Sequence, residues 1–168
     1  IKAFASLSEK RPEVVLVIAG KDSSLYKGYG RRLKDMANRL GIERSVLFTG
    51  YVDDRGLDKL FKRAHIVILP YLCSISASGP LSLSIAYNKP IIATTTEYFL
   101  EILKDRVDAL LVPPGDVQSL LKSMEVLMDD AGLRIRLQEN LKLKARKWSW
   151  LEVAKSTIKL YQRVLGER

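Results

Sequence analysis

One loop of this sequence collects residue types that could bind an anionic ligand. Small residues crowd together directly before a helical pattern, in the order Ser74, Ile75, Ser76, Ala77, Ser78, Gly79, Pro80. Small side chains let a ligand approach the backbone, and Ser76 or Ser78 could cap the helix while free amide groups face an anion. A phosphate group would suit this arrangement. A simpler interpretation stays open, in which Ser78 is only an N-cap and Pro80 occupies the first helical position.

Three more loops follow predicted strands and could border the same site. They span residues 20–24, 50–53 and 94–97, and they begin at Gly20, Gly50 and Thr94. In an open parallel sheet, ligands bind outside the carboxyl ends of the strands, where helix N-termini point their amide groups toward the cavity. Together with the loop from Tyr71 to Gly79, which contains the small residues, these three loops are candidates for one binding site.

Other common site chemistries find little support in these residues. His65 is the only histidine and begins an apolar run, so neither a Ser-His-Asp triad nor a histidine-based metal site is expected. Neither the glycine-rich dinucleotide pattern nor the Walker pattern occurs. Cys73 is the only cysteine, which excludes an internal disulfide and fits a reducing compartment; we interpret it as an inert thiol.

The elements that would position these loops alternate between strand and helix. Strands are predicted at residues 14–19, 46–48, 65–69, 91–94 and 109–112, and residues 14–19 look buried on both faces. Helical spacing separates the strands, Asp53 or Asp54 could cap the second of the intervening helices, and three helical segments follow Asp116. The pattern predicts a doubly wound α/β fold: about five parallel strands, right-handed crossovers, helices on both faces and C-terminal helices.

Length and charge limit the classes of protein to consider. The chain has 168 residues and is 47% hydrophobic, which suits a single domain with one core. Its net charge is +9. No apolar run approaches the roughly 20 residues of a transmembrane helix. Residues 131–168 hold 10 lysines and arginines against 3 acidic residues. Because these cations alternate with Leu and Val, we interpret them as the solvated face of amphipathic helices rather than as a binding patch.

Several phrases, in this order and spacing, resemble one family over nearly the whole chain. They are LVIAG at 16–20, VLFTGYV at 46–52, IVILP at 66–70, KPIIAT at 89–94, EI at 101–102, LLVPPGD at 110–116 and WSW at 148–150. They are similar to the C-terminal, nucleotide-sugar-binding domain of retaining GT-B glycosyltransferases of glycosyltransferase family 4. The resemblance implies a Rossmann-like fold that is half of a GT-B architecture.

The resemblance also implies a donor site and its residues. Gly20 and Lys21 would border the donor pocket, and the backbone at Tyr51 and Val52 would contact the base. The turn from residue 76 to residue 81 would bring its amides to the diphosphate, which assigns to the site Ser76, Ser78, Gly79 and Leu81. The donor would be a UDP-, GDP- or ADP-sugar, used without a metal or cofactor in the cytoplasm. A separate N-terminal domain would hold the acceptor.

The sequence departs from the family pattern in three places. The family usually has two glutamates around the phosphate-binding turn, and their positions here hold Ile75 and Leu83. A subset of the family has a Ser-Gly turn instead, as at residues 78–79. Pro80 lacks an N–H, which leaves Gly79 and Leu81 as donors. The family's first strand and its Gly-Arg…Lys-Gly loop would precede Ile1, so residues 1–168 are interpreted as one truncated domain that is inactive alone.

Two other functions remain as alternatives. A sugar-nucleotide epimerase on the same plan would need carboxylates and histidines near the donor. A non-catalytic interaction domain would use the basic C-terminal face, on nucleic acid or anionic lipid; we expect no nucleic-acid partner. Peripheral membrane contact and dimerisation of the isolated chain stay open, because sheet-facing residues of the last helix could form an exposed apolar patch.

Overall fold

The computed structural model describes residues 1–22 and 26–166 of the chain. Its strands are Leu16–Ala19 (β1), Val46–Gly50 (β2), Val67–Leu69 (β3), Ile91–Thr94 (β4) and Leu110–Val112 (β5). Its α-helices are Lys2–Lys10 (α1), Tyr29–Arg39 (α2), Asp54–Arg63 (α3), Gly79–Ala86 (α4), Glu97–Ile102 (α5), Val117–Asp129 (α6), Ala131–Lys147 (α7) and Trp150–Leu165 (α8). A 3₁₀ turn at Glu43–Ser45 precedes β2. Ser23 and Ser24, which belong to the predicted loop at residues 20–24, lie outside the described residues.

The strands pair in parallel, and helices separate them along the chain, so the predicted α/β fold is confirmed. The pairing differs from one continuous sheet. Strand β1 pairs with β2, while β4 lies between β3 and β5 in a second sheet. Among the residues described, no ladder joins the two sheets.

Strand β1 corrects one expectation about burial. Residues 14–19 were expected to be buried on both faces, but Val15 and Val17 are 61% and 40% exposed. Leu16 and Ile18 pack against the core. Side chains of a strand alternate between its two faces, and only one face of β1 is covered by the core.

Two hydrophobic clusters form the core. The larger one contacts both sheets, since Val46 of β2 and Ile92 of β4 both belong to it, together with α1, α6 and α7. The smaller one lies beneath the loops that follow β3 and β4, and Phe99 is its fully buried aromatic residue. The loops that follow β3 and β4 therefore lie on a packed cluster.

Helix starts follow the capping chemistry in the sequence. Asp53 accepts a hydrogen bond from the Gly56 N–H at 2.7 Å, which confirms it as the cap of α3. Asp116 accepts from both the hydroxyl and the N–H of Ser119 at the start of α6. These bonds, the hydroxyl bond first, lower the pKa of the Asp116 carboxyl below its ordinary value.

A largely buried ion pair fixes the loop between α5 and β5 to helix α7. The Lys144 ammonium donates to Asp108 Oδ2 at 2.7 Å and also to the Ile102 carbonyl. The same Asp108 oxygen accepts the Lys104 N–H at 3.0 Å. Asp108 is only 6% exposed. The pair joins segments 36 residues apart in the sequence.

Helix α8 has an exposed apolar face, as the sequence suggested. Trp150 is 88% exposed, and the same helix also exposes Ile158, Tyr161, Val164 and Leu165. Its three cations in the described range, Lys155, Lys159 and Arg163, are four residues apart and share the opposite face. Within the described ranges, we find no helix with both the length and the apolar character needed to span a membrane.

Candidate functional site

The ends of β1 and β2 bring together the first four predicted site residues. The Gly20 N–H donates to the Gly50 carbonyl at 2.9 Å, and Gly20 has a φ of 130°, a conformation that favours glycine. The Lys21 ammonium lies 5.5 Å from the centre of the Tyr51 ring, within cation–π range. Tyr51 is 74% exposed, whereas Val52 is half-buried. An aromatic ring and a cation are thus both presented to solvent.

Asp22 fixes the loop that carries Lys21. Its two carboxylate oxygens accept the N–H groups of Gly28 and Gly30, each at 2.7 Å, at the start of α2. A Cβ at position 30 would lie 2.9 Å from Asp22 Oδ1, so a larger residue there would displace the carboxylate that accepts these two bonds. The N-terminus of α2 is therefore already bonded to a carboxylate of the protein.

The segment of residues 74–79, here called the serine turn, leads into helix α4. Ser78 is the N-cap: it is 3% exposed, and its Oγ accepts the Leu81 N–H at 3.2 Å. Gly79 is the first helical residue and Pro80 the second, so the expectation of Pro80 at the first position was one residue off. Gly79 and Ser76 are both exposed, whereas the Leu81 side chain is buried.

The hydrogen bonds of the serine turn show which amide a ligand could reach. The Leu81 N–H is bonded to Ser78 Oγ, and the Ser82 N–H to the Ser78 carbonyl. Pro80 has no N–H. In residues 1–22 and 26–166, no acceptor is found for the Gly79 N–H. The amides of a helix start attract anions, and Gly79 carries the one that the first turn of α4 leaves available.

Two tyrosines lie beside this turn: Tyr71, which the sequence placed in the candidate loop of residues 71–79 without a role, and Tyr98, which sequence reasoning missed. The Ser78 N–H donates to Tyr98 Oη at 3.1 Å, and the Tyr71 hydroxyl lies 3.2 Å from Ser78 Oγ. Tyr71 begins the loop after β3, and Tyr98 lies in the first turn of α5. The signal available in the sequence was their position, since both stand within a few residues of a predicted strand end.

The two groups of site residues belong to different sheets. Within the described part of the chain, no hydrogen bond joins residues 20–52 to residues 71–98. A shallow concavity of about 440 Å³ lies elsewhere, and it includes Asp108 and Lys144 but none of the eight predicted site residues. The described residues also bring together no three His, Cys, Asp or Glu side chains suited to a metal ion.

Comparison with known families decides what kind of protein carries these loops. The family model described as glycosyl transferases group 1 matches residues 1–148, which include all eight predicted site residues. This chain belongs to that family. The resemblance inferred from the sequence phrases is thereby confirmed.

The glycosyltransferase relatives of this chain are longer proteins. An uncharacterized glycosyltransferase of Methanocaldococcus jannaschii is 30% identical over 163 residues, which are 96% of this chain and 40% of that protein. A phosphatidyl-myo-inositol mannosyltransferase of Mycobacterium leprae is 26% identical over 98% of this chain and 42% of that protein. The chain therefore spans about 40% of the length of these relatives.

A solved structure supports the fold of this group 1 glycosyl transferase chain. The Anabaena protein HepE, solved in complex with UDP, aligns with a TM-score of 0.84 and 18% identity. The alignment covers 96% of this chain and 44% of HepE. At this level of identity the similarity concerns the fold, a Rossmann-like α/β domain.

Proposed function

We propose that this chain binds the nucleotide diphosphate of an activated sugar and forms the donor-binding part of a retaining glycosyltransferase. The observation that carries the proposal is the family match over residues 1–148. The UDP in the HepE complex supports a nucleotide as the ligand class. The sugar is transferred to an acceptor held by a separate domain, and both this domain and the retaining outcome rest on the family resemblance.

The base and the diphosphate would use different loops. The exposed Tyr51 residue, beside Lys21, suits a planar base and the negative charge next to it. The Gly79 N–H lies at the N-terminus of α4, where the helix dipole favours an anion. Neutralisation of the leaving diphosphate by amides and cations is the electrostatic contribution that such a site makes to sugar transfer.

The divided sheet supports a further strand outside the 168 residues. Strands β1 and β3 each have one paired neighbour in the described chain, yet both sheets pack on the same hydrophobic cluster. In doubly wound folds the first strand lies in the middle of the sheet. We therefore propose that the domain's own first strand fits between β1 and β3, and that its loop adds cations to the diphosphate site.

Nucleotide binding tests this function. Ligand-detected NMR of the 168-residue chain with UDP, GDP and ADP should give saturable signals, with one base bound more tightly than the other two. The base preference is expected because a pocket contacts the base edge, whereas a basic surface contacts only phosphates.

A salt titration serves as the control for that experiment. Binding in the pocket should keep its base preference between low and physiological salt, although the charge interactions weaken. Equal, unsaturated signals for all three nucleotides up to millimolar concentrations would contradict the donor site and favour the non-catalytic alternative.

A further inference from the structure

The serine turn is bonded to the first turn of α5 by one residue, Tyr98. Its hydroxyl accepts the Ser78 N–H at 3.1 Å, while its own N–H donates to Ser74 Oγ at 3.2 Å. The two bonds join Tyr98 to residues that lie 20 and 24 positions before it in the sequence. Both ends of the serine turn are therefore bonded to the first turn of α5.

Tyr98 packs against a buried aromatic group. Its ring packs at 5.6 Å, centre to centre, against Phe99, and the Tyr71 ring packs on the same Phe99 at 5.1 Å. Phe99 is fully buried. The backbone of Tyr71 is held in turn, because Thr94 Oγ1 donates to the Tyr71 carbonyl at 2.7 Å. The two tyrosine hydroxyls thus reach Ser78 from a packed aromatic group.

We propose that the Tyr98 hydroxyl is a positioning group for the donor diphosphate, an inference that rests on the proposed function. By accepting the Ser78 N–H, it holds the peptide between Ala77 and Ser78, one residue before the peptide that carries the Gly79 N–H. The Gly79 N–H is the amide that a ligand could reach, and its direction depends on the backbone angles of Ser78. Those angles are limited on one side by the bond to Tyr98 and on the other by the Ser82 N–H, which donates to the Ser78 carbonyl. A turn that is held before the ligand arrives loses less conformational freedom on binding, which strengthens binding without a direct contact.

A purely structural role would have different consequences. A half-buried tyrosine commonly bonds its hydroxyl to any nearby acceptor or donor, and losing that bond costs only stability. Tyr87 offers a matched case, because its hydroxyl donates to Asp58 Oδ1 at 2.9 Å from the residue that follows α4. That bond lies at the opposite end of α4 from Ser78, one helix length away.

The experiment compares Tyr98→Phe with Tyr87→Phe in the 168-residue chain. Phenylalanine keeps each ring and removes only its hydroxyl. In the free protein, the Ser78 amide of Tyr98→Phe should exchange faster with solvent than in the wild type, as measured by ¹⁵N NMR. The dissociation constant of the nucleotide that the wild type prefers among UDP, GDP and ADP should rise about five-fold in Tyr98→Phe. Tyr87→Phe should leave both quantities unchanged.

The outcomes distinguish a failure of the positioning role from a failure of the proposed function. Unchanged affinity in Tyr98→Phe, or tighter binding because the Ser78 amide is freed for the ligand, would overturn the positioning role while the donor site stands. Unchanged Ser78 exchange would overturn it too, because the bond would then fix nothing. If the wild-type chain binds none of the three nucleotides, the proposed function fails and this inference fails with it.

Discussion

Replacing Gly79 with glutamate should weaken nucleotide binding by about 10- to 100-fold, because a carboxylate would stand where the diphosphate is expected. A Cβ at position 79 meets no atom within 4 Å, so a side chain can start there without displacing a neighbour. An acidic residue in the first turn of a helix is moreover favourable to the helix dipole. Titration of the preferred nucleotide, followed by NMR, measures the loss.

The matched control is Gly79→Gln, which has the same size and no charge. We expect it to keep most of the wild-type affinity, and both variants to unfold at or slightly above the wild-type temperature. This pair separates charge repulsion from steric blockage. Equal affinity in wild type and Gly79→Glu would show that the diphosphate does not bind at the start of α4.

Replacing Asp108 with alanine should lower the free energy of unfolding by about 3–5 kcal/mol. The change leaves the Lys144 ammonium without its carboxylate and the Lys104 N–H without its acceptor. The Lys144 side chain is only 19% exposed, so water replaces little of what is lost. Urea unfolding followed by circular dichroism gives the free energy directly.

Two further variants identify the cause of that loss. The double variant Asp108→Asn with Lys144→Met removes both charges and keeps an acceptor for the Lys104 N–H, so it should recover most of the stability. Asp58→Ala breaks an exposed pair with Lys62 and also removes the acceptor of the Tyr87 hydroxyl, yet it should still cost far less because the Asp58 side chain is more exposed than that of Asp108. An Asp108→Ala protein as stable as the wild type would contradict the account of this pair.

Local patterns in the sequence were sufficient to predict the strands, the helices and the residues that begin the helices. Hydrophobic periodicity located the five strands and the helices after Asp116. Capping depends on a few neighbouring residues, so the sequence narrowed the caps to Asp53 or Asp54 and to Ser76 or Ser78, and the structure has Asp53 and Ser78. The position of the two exposed loop groups followed from the rule for parallel sheets. These features depend on residues close together in the chain.

The features that were missed depend on contacts between distant residues. The bond from Ser78 to Tyr98 and the pair of Lys144 with Asp108 become visible only once the strands are arranged. The burial of residues 14–19 was overestimated for the same reason, since an apolar run does not tell which of its faces another element covers. The division into two sheets likewise depends on which strands are present to pair.

The most direct test of the donor site is to map the preferred nucleotide onto the chain by ¹H–¹⁵N chemical-shift changes. Our account predicts the largest changes at the amides of Gly20, Tyr51 and Gly79, from both loop groups at once. Changes confined to the concavity beside Asp108 and Lys144, or to the basic face of α8, would contradict it.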